Sequence, residues 1–174
     1  GTIADLINYR IINEKTVEKI EQKLVKTEYG KFNLILYKDL IFDETHLVLQ
    51  KGKISKNSPT LVRVQQSNFF HDLLNINEFG ARWSVSDSMK KINEVGKGII
   101  LLIDGENQKQ DEFNEINASK KKRITAPNND PRRIGIGSQI LRDLGVKKIK
   151  LMGSEVRYPS LSGFDLEVTE YIKK

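Results

Sequence analysis

The sequence predicts an α+β (mixed α/β) fold, and three observations carry that reading. Apolar residues alternate with period two near residues 32–37, 46–50 and 61–65, the mark of strands. Helical spacing takes over at 85–95 and again at 133–144. Between those two stretches stands a short, wholly apolar run, Ile99 to Ile103, of the kind found in buried strands. A strand-rich first half followed by helix, strand, helix and strand is the order of a mixed fold.

Taken in order, Thr2 followed by Asp5 marks a helix start, with a side-chain cap and an acid in the first turn. Ile3, Leu6, Ile7 and Ile11 keep helical spacing, and a charged stretch from Glu14 to Val25 carries Val17, Ile20 and Leu24. Residues 1–24 are therefore expected to form a helical linker, as one or two helices or a helix and a linker strand. Residues 25–174 are expected to form one domain. Phe32, Leu34 and Leu36 alternate with Asn33, Ile35 and Tyr37, and Gly52 and Ser58-Pro59 separate the strands that follow. Ser84 opens a helix with Val85, Met89, Ile92 and Val95 on one face and Gly96 as its stop. The polar stretch 104–130 predicts a short helix around 110–120 inside a long loop. A helix from about Arg133 to Leu144 ends at Gly145, a strand runs from Lys148 to Met152, and Phe164, Leu166 and Val168 alternate in a last strand.

The 174 residues, 38% hydrophobic and 30% charged, suit one ordinary globular domain with a helical extension. There is no cysteine, which excludes disulfides and thiolate-bound metal and fits a cytoplasmic protein. With only His46 and His71 as imidazoles, a histidine-rich metal site is excluded as well. No apolar run is long enough to span a membrane. The chain opens on Gly1 inside a helical pattern, so the expectation is a piece of something longer. A net charge of +6 and a pI of about 9.4 favour anionic partners.

A few residues invite chemistry. Asp130 before Pro131 reads as a helix cap. Arg132 and Arg133 place two cations in a first helical turn, opposing the helix dipole, where an anion would relieve the conflict or solvent would bathe them. Arg63, within a strand, either reaches a phosphate or packs its stem beside the sheet. Ser84 and Ser86 are good caps. His71-Asp72 reads as a surface pair, since no nucleophile stands at a diagnostic spacing. The basic run Lys120 to Arg123 lacks the interleaved aromatics of a nucleic-acid platform and reads as a solvated loop.

Two stretches resemble a known family. Residues 130–152, DPRRIGIGSQILRDLGVKKIKLM, are similar to the D-x-R-D-[YF]-G-[IV]-G-A-Q-I-L-R-D-L-G-V segment of GTP cyclohydrolase II, and TEYGKFNLILYKD (27–39) and LVRVQQ (61–66) resemble its opening strands. The N-terminal TIADLINYRI is similar to the segment that joins a dihydroxybutanone phosphate synthase domain to a cyclohydrolase domain in fused riboflavin-biosynthesis enzymes.

The resemblance implies a zinc held by three cysteines, an aspartate as proton acceptor and an arginine as nucleophile. It places the last two at Asp130 and Arg132, and Arg63 also stands at a position that fits a family functional residue; Arg133 is a phosphate-binding candidate from its place in the helix alone. The cysteine positions fall on Asn68, Ser84 and Ser86. Neutral oxygen donors are poor zinc ligands, so no metal cofactor is expected, and without the ion nothing lowers the pKa of the attacking water.

The expectation that follows is a degenerate GTP cyclohydrolase II-like domain without cyclohydrolase activity, serving assembly or regulation of a linked 3,4-dihydroxy-2-butanone 4-phosphate synthase. The alternatives are a residual GTP-directed hydrolase or a nucleotide or sugar-phosphate binding module. The expected partners are a second copy in a homodimer, a covalently linked synthase domain and a nucleotide or sugar phosphate, with neither membrane nor nucleic acid.

Overall fold

The computed structural model describes residues 1–66, 69–76, 82–104, 117, 130–156 and 158–174. Its elements are α1 (Ile3–Asn13), β1 (Val17–Thr27), β2 (Gly30–Asp39), β3 (Thr45–Lys51), β4 (Thr60–Gln66), α2 (Val85–Val95), β5 (Gly98–Ile103), α3 (Pro131–Asp143), β6 (Lys148–Met152) and β7 (Glu167–Ile172). A single π-turn, Phe69–Leu73, follows β4, and a 3-10 turn, Pro159–Phe164, precedes β7. The fold class is the mixed α+β one that the hydrophobic periods imply. Apart from Asn117, the short helix expected around 110–120 lies outside the described residues, as does the 120–123 basic run.

All seven strands form one sheet in the order β1-β2-β3-β5-β4-β6-β7. The β1–β2, β2–β3 and β3–β5 pairs are antiparallel, while β5–β4, β4–β6 and β6–β7 are parallel. The side chains of β5 divide the core in two. Ile99, Leu101 and Ile103 pack with Ile136 and Ile140 of α3, whereas Ile100 packs with Met89 and Ile92 of α2. The two helices therefore cover opposite faces. Phe32 faces α2 and Ile35 and Tyr37 face α3, so β2 is apolar on both sides because both are covered.

The second half of the expected helical linker is a strand. β1 pairs with β2 along its whole length, from Val17 opposite Asp39 to Thr27 opposite Gly30. Ile20 and Leu24, whose spacing had suggested a helix face, are exposed on this edge strand. Ladder hydrogen bonds to a preformed neighbour outweigh a weak local helical preference. The last strand begins later than expected as well, because Phe164 ends the 3-10 turn and is buried there.

The helix ends follow local chemistry. Thr2 and Asp5 form a reciprocal capping box on α1. Ser84 caps α2, which stops at Gly96 with φ of +80°, a left-handed conformation that suits glycine. α1 lies on α3 at Gly135, where a Cβ would sit 2.3 Å from Cγ2 of Ile11. Buried Gln139 fastens the contact. Its amide nitrogen donates to the carbonyls of Ile11 and Glu14, and its oxygen accepts from the Thr16 N–H at 2.8 Å. The end of α1 thus has its carbonyls satisfied by a side chain of α3.

Gly135→Ala is expected to destabilise the chain by about 1–3 kcal/mol through overpacking. The loss should shrink when Ile11→Ala makes room, which a urea double-mutant cycle will read. Strict additivity would show that the α1–α3 contact is not the source.

Candidate functional site

β4 and β5 are parallel neighbours, yet the chain leaving β4 enters α2 on one face and the chain leaving β5 enters α3 on the other. The carboxyl ends of two such strands, with their helices on opposite faces, are where open α/β sheets place their ligands. The starts of α2 and α3, the end of β2 and the start of β3 gather at the same end of the sheet.

On the α2 face, Arg63 leaves β4 half-buried and is already occupied. Its Nε donates to Gln65 Oε1 at 2.8 Å, one terminal nitrogen to the Met152 carbonyl at 2.9 Å and the other to the Trp83 carbonyl at 3.2 Å. Burial pulls the guanidinium down to about 10, against an upward pull from Asp72, so it stays charged at neutral pH. Gln65 in turn donates to Asp72 at 3.0 Å, and Asp72 accepts the Val85 backbone N–H at 2.9 Å. Arg63 therefore straps β4 to β6 and to the entry of α2. Asp72 is no surface residue but the joint between β4 and α2, which corrects the surface-pair reading of His71-Asp72. Local sequence could not show this, since its partners lie 7 and 13 residues away.

Ser84 Oγ accepts the Asp87 N–H at 3.1 Å and lies 3.0 Å from Ser86 Oγ. Both serines are thus spent on each other and on the helix start. Two neutral hydroxyls, one of them capping, do not fit zinc, which takes thiolate, imidazole or carboxylate. Asn68 lies outside the described residues.

On the α3 face, Asp130 caps the helix by accepting the Arg132 N–H at 3.0 Å, and the Arg132 guanidinium closes on the same carboxylate at 3.2 and 3.0 Å. The structure thus brings together the two residues that the resemblance puts forward for catalysis. Burial raises the Asp130 carboxyl, but the hydrogen bonds from Arg132 more than offset this and hold it below its usual range. The Arg132 guanidinium is pushed up by the same pair and lies 5.5 Å over the Phe42 ring. As it stands, the carboxylate is a weakened base and the charged guanidinium a poor nucleophile. Arg133 has one terminal nitrogen buried without a partner among the described residues.

Nearby, His46 accepts the Asp104 N–H on Nδ1 at 3.2 Å, which leaves its ring proton on Nε2. That Nε2 and Asp39 Oδ2 are both buried without partners among the described residues. Burial lowers the His46 pKa, against opposing pulls from Asp39 and Asp104. Asp39, Glu44 and His46 bring ligand-type atoms within 4.8 Å of one another. With Nδ1 filled by a backbone N–H, however, the ring offers a donor rather than a lone pair. A bridging water suits such a set better than an ion. Sequence reasoning counted His46 only as an available imidazole and missed Asp39 altogether.

The model of the GTP cyclohydrolase II family matches residues 18–173. The chain belongs to that family. Among its relatives, the 3,4-dihydroxy-2-butanone 4-phosphate synthase of Pseudomonas aeruginosa is 43% identical over 99% of this chain and 47% of its own length. The synthase of the same name from Photobacterium phosphoreum is 38% identical over 99% of this chain and 47% of its own. The riboflavin biosynthesis protein RibBA of Aquifex aeolicus is 35% identical over 98% and 45%. A solved structure, RibBX, a two-domain 3,4-dihydroxy-2-butanone 4-phosphate synthase from A. baumannii, superposes with a TM-score of 0.64 at 35% identity, covering 98% of this chain and 44% of that one. The chain spans about half the length of the curated relatives it matches.

These findings correct the functional expectation. A degenerate cyclohydrolase II-like domain kept for assembly or regulation, with GTP hydrolysis or nucleotide binding as alternatives, does not stand against relatives that match along 99% of the chain and carry the synthase's name. The physical reason is plain: missing thiolates report the absence of one chemistry and say nothing about which one the chain serves.

Ser84→Ala is expected to cost about 1 kcal/mol, the usual worth of such a cap, in thermal or urea unfolding. The purified protein is expected to hold no stoichiometric zinc by elemental analysis, and a one-to-one content would overturn the reading of the two serines. Asp130→Asn keeps a capping side chain but loses the ion pair. Because Arg132 is half-exposed, this should cost no more than about 1 kcal/mol. A depressed carboxylate stabilises the fold above its unfolded pKa, and the gain is lost as pH falls through the folded value. The gap between wild type and Asp130→Asn should therefore close below about pH 4, the unfolded aspartate range.

Proposed function

We propose that this chain works in a 3,4-dihydroxy-2-butanone 4-phosphate synthase of riboflavin biosynthesis, as one part of a longer protein. The observation that carries the reading is the set of relatives so named that align along 99% of the chain. The proposed organisation joins a further domain through the N-terminal segment, with α1 rather than the whole of residues 1–24 as the connecting element. Residues 17–24 belong to the sheet's edge strand and so go with the domain. The assembly proposed is a homodimer.

The chemistry of the product is consistent with this chain's charge. A phosphorylated four-carbon ketone is anionic, and the chain carries a net +6. Arg132 and Arg133, in the first turn of α3, are the side chains proposed to attract a sugar phosphate to this end of the sheet. Arg63 is the less apt of the three, since three of its donors are already committed. No metal is assigned a role, because the serines that stand in the family's ligand positions do not fit one. No described helix is long and apolar enough to cross a membrane.

The test is formation of 3,4-dihydroxy-2-butanone 4-phosphate by the purified longer protein. Product is expected, and Arg133→Ala is expected to raise KM for the phosphorylated substrate several-fold with kcat little changed. A longer protein that makes no such product under conditions in which the Pseudomonas aeruginosa enzyme does would overturn the proposal.

A further inference from the structure

α1 is amphipathic in an unusual sense, for it is apolar on two sides. Inward, Ile7 and Ile11 pack against the core, with Ile11 seated on Gly135. Outward, Ile3, Leu6, Tyr9 and Ile12 are 81%, 60%, 61% and 47% exposed. Their three-residue spacing forms one of the ridges by which helices pack on neighbours. Beside the ridge runs a groove of about 350 Å³, lined by Ile3, Ala4, Ile7, Asn8, Asp130, Pro131 and Arg132. Nothing in the described chain covers either. Single exposed apolar side chains are ordinary, but four in a row next to a groove are the pattern of an interaction site.

We infer that this ridge and groove are the seat of the linked domain of the longer protein, which presents an apolar ridge or helix to α1. The inference deepens the proposed function and rests on its claim that the chain is part of a longer polypeptide. Two observations select this occupant. The chain covers 47% of two synthase relatives and 44% of the two-domain solved structure, so each of those proteins carries about as much chain again. The second is size. Stable interfaces between separate molecules bury roughly 1,200–2,000 Å², and four side chains with one groove fall short of that. A tethered partner needs far less, since a short linker raises its effective concentration to about the millimolar range. The ridge is thus too small for a free protein or a second copy and large enough for a neighbour held by the chain. The polar rim, Asp5 and the Arg10–Glu14 pair at 2.9 Å, frames the apolar strip as expected at an interface edge.

The absence of cysteine from this chain gives a clean test. Leu6→Cys, Tyr9→Cys and, as a control on β1, Leu24→Cys are made singly in the 174-residue chain and in the longer protein. Maleimide labelling is followed peptide by peptide by mass spectrometry. In the 174-residue chain all three positions are expected to react at similar rates. In the longer protein, positions 6 and 9 are expected to react at least tenfold more slowly, with position 24 unchanged. Equal rates at 6 and 9 in both proteins would overturn the inference. Protection that already appears in the 174-residue chain and grows with its concentration would overturn it in favour of a second copy. Product formation, measured on the same longer protein, separates the two claims: a protected ridge without synthase activity retains the docking and rejects the function, and an exposed ridge with full activity does the reverse.

Discussion

One constraint orders the rest of the molecule: β5 is buried on both faces. Ile99, Ile100 and Leu101 are fully enclosed, with α3 on one side and α2 on the other. A strand so placed can hold no charged group, because burying an unpaired charge costs several kcal/mol. A charge beside it must be tied down, as Arg63 of β4, opposite Ile100, is by three acceptors. Toward the strands' carboxyl ends Gln65 and Asp72 lie on that face, and Asp39, His46, Asp130 and Arg133 on the other. The site's location is a result of core packing before it is a result of function.

Much of this was legible in the sequence, and the reasons differ by element. The cap of α2 at Ser84, its left-handed stop at Gly96 and the Asp130-Pro131 start of α3 are local events whose partners lie within a few residues. So is the capping box at Thr2 and Asp5. β1 was legible only as one of two alternatives, helix or linker strand, because a stretch with five charges in eleven positions acquires its conformation from β2, its ladder partner. The roles of Asp72 and Gln139 escaped for a related reason. Gln139 reaches residues more than 120 positions away, and no period or spacing in the chain announces such a contact. The apolar alternation in β2 was seen, but not that both of its faces are covered.

The substitution at the family's metal positions has a structural complement on this face. A polar relay ties β4 to the start of the next helix. Arg63 holds Gln65, Gln65 holds Asp72, and Asp72 takes the Val85 N–H, while Ser84 caps the helix. The relay links two charged groups through a neutral amide and leaves few donors idle, which is how buried polar groups become tolerable. Serine is well placed here because a hydroxyl at a helix start is useful whether or not an ion is bound. The two serine hydroxyls thus serve the start of the helix.

α1 joins these themes. Its inner face is set by Gly135 and Gln139, residues one and two turns along α3 from Arg132 and Arg133. Its outer ridge borders a groove that also includes Asp130, Pro131 and Arg132. The helix therefore faces the carboxylate–guanidinium pair across that groove on one side and solvent on the other. The close packing comes from the absence of a side chain at residue 135, since Ile11 fills that space.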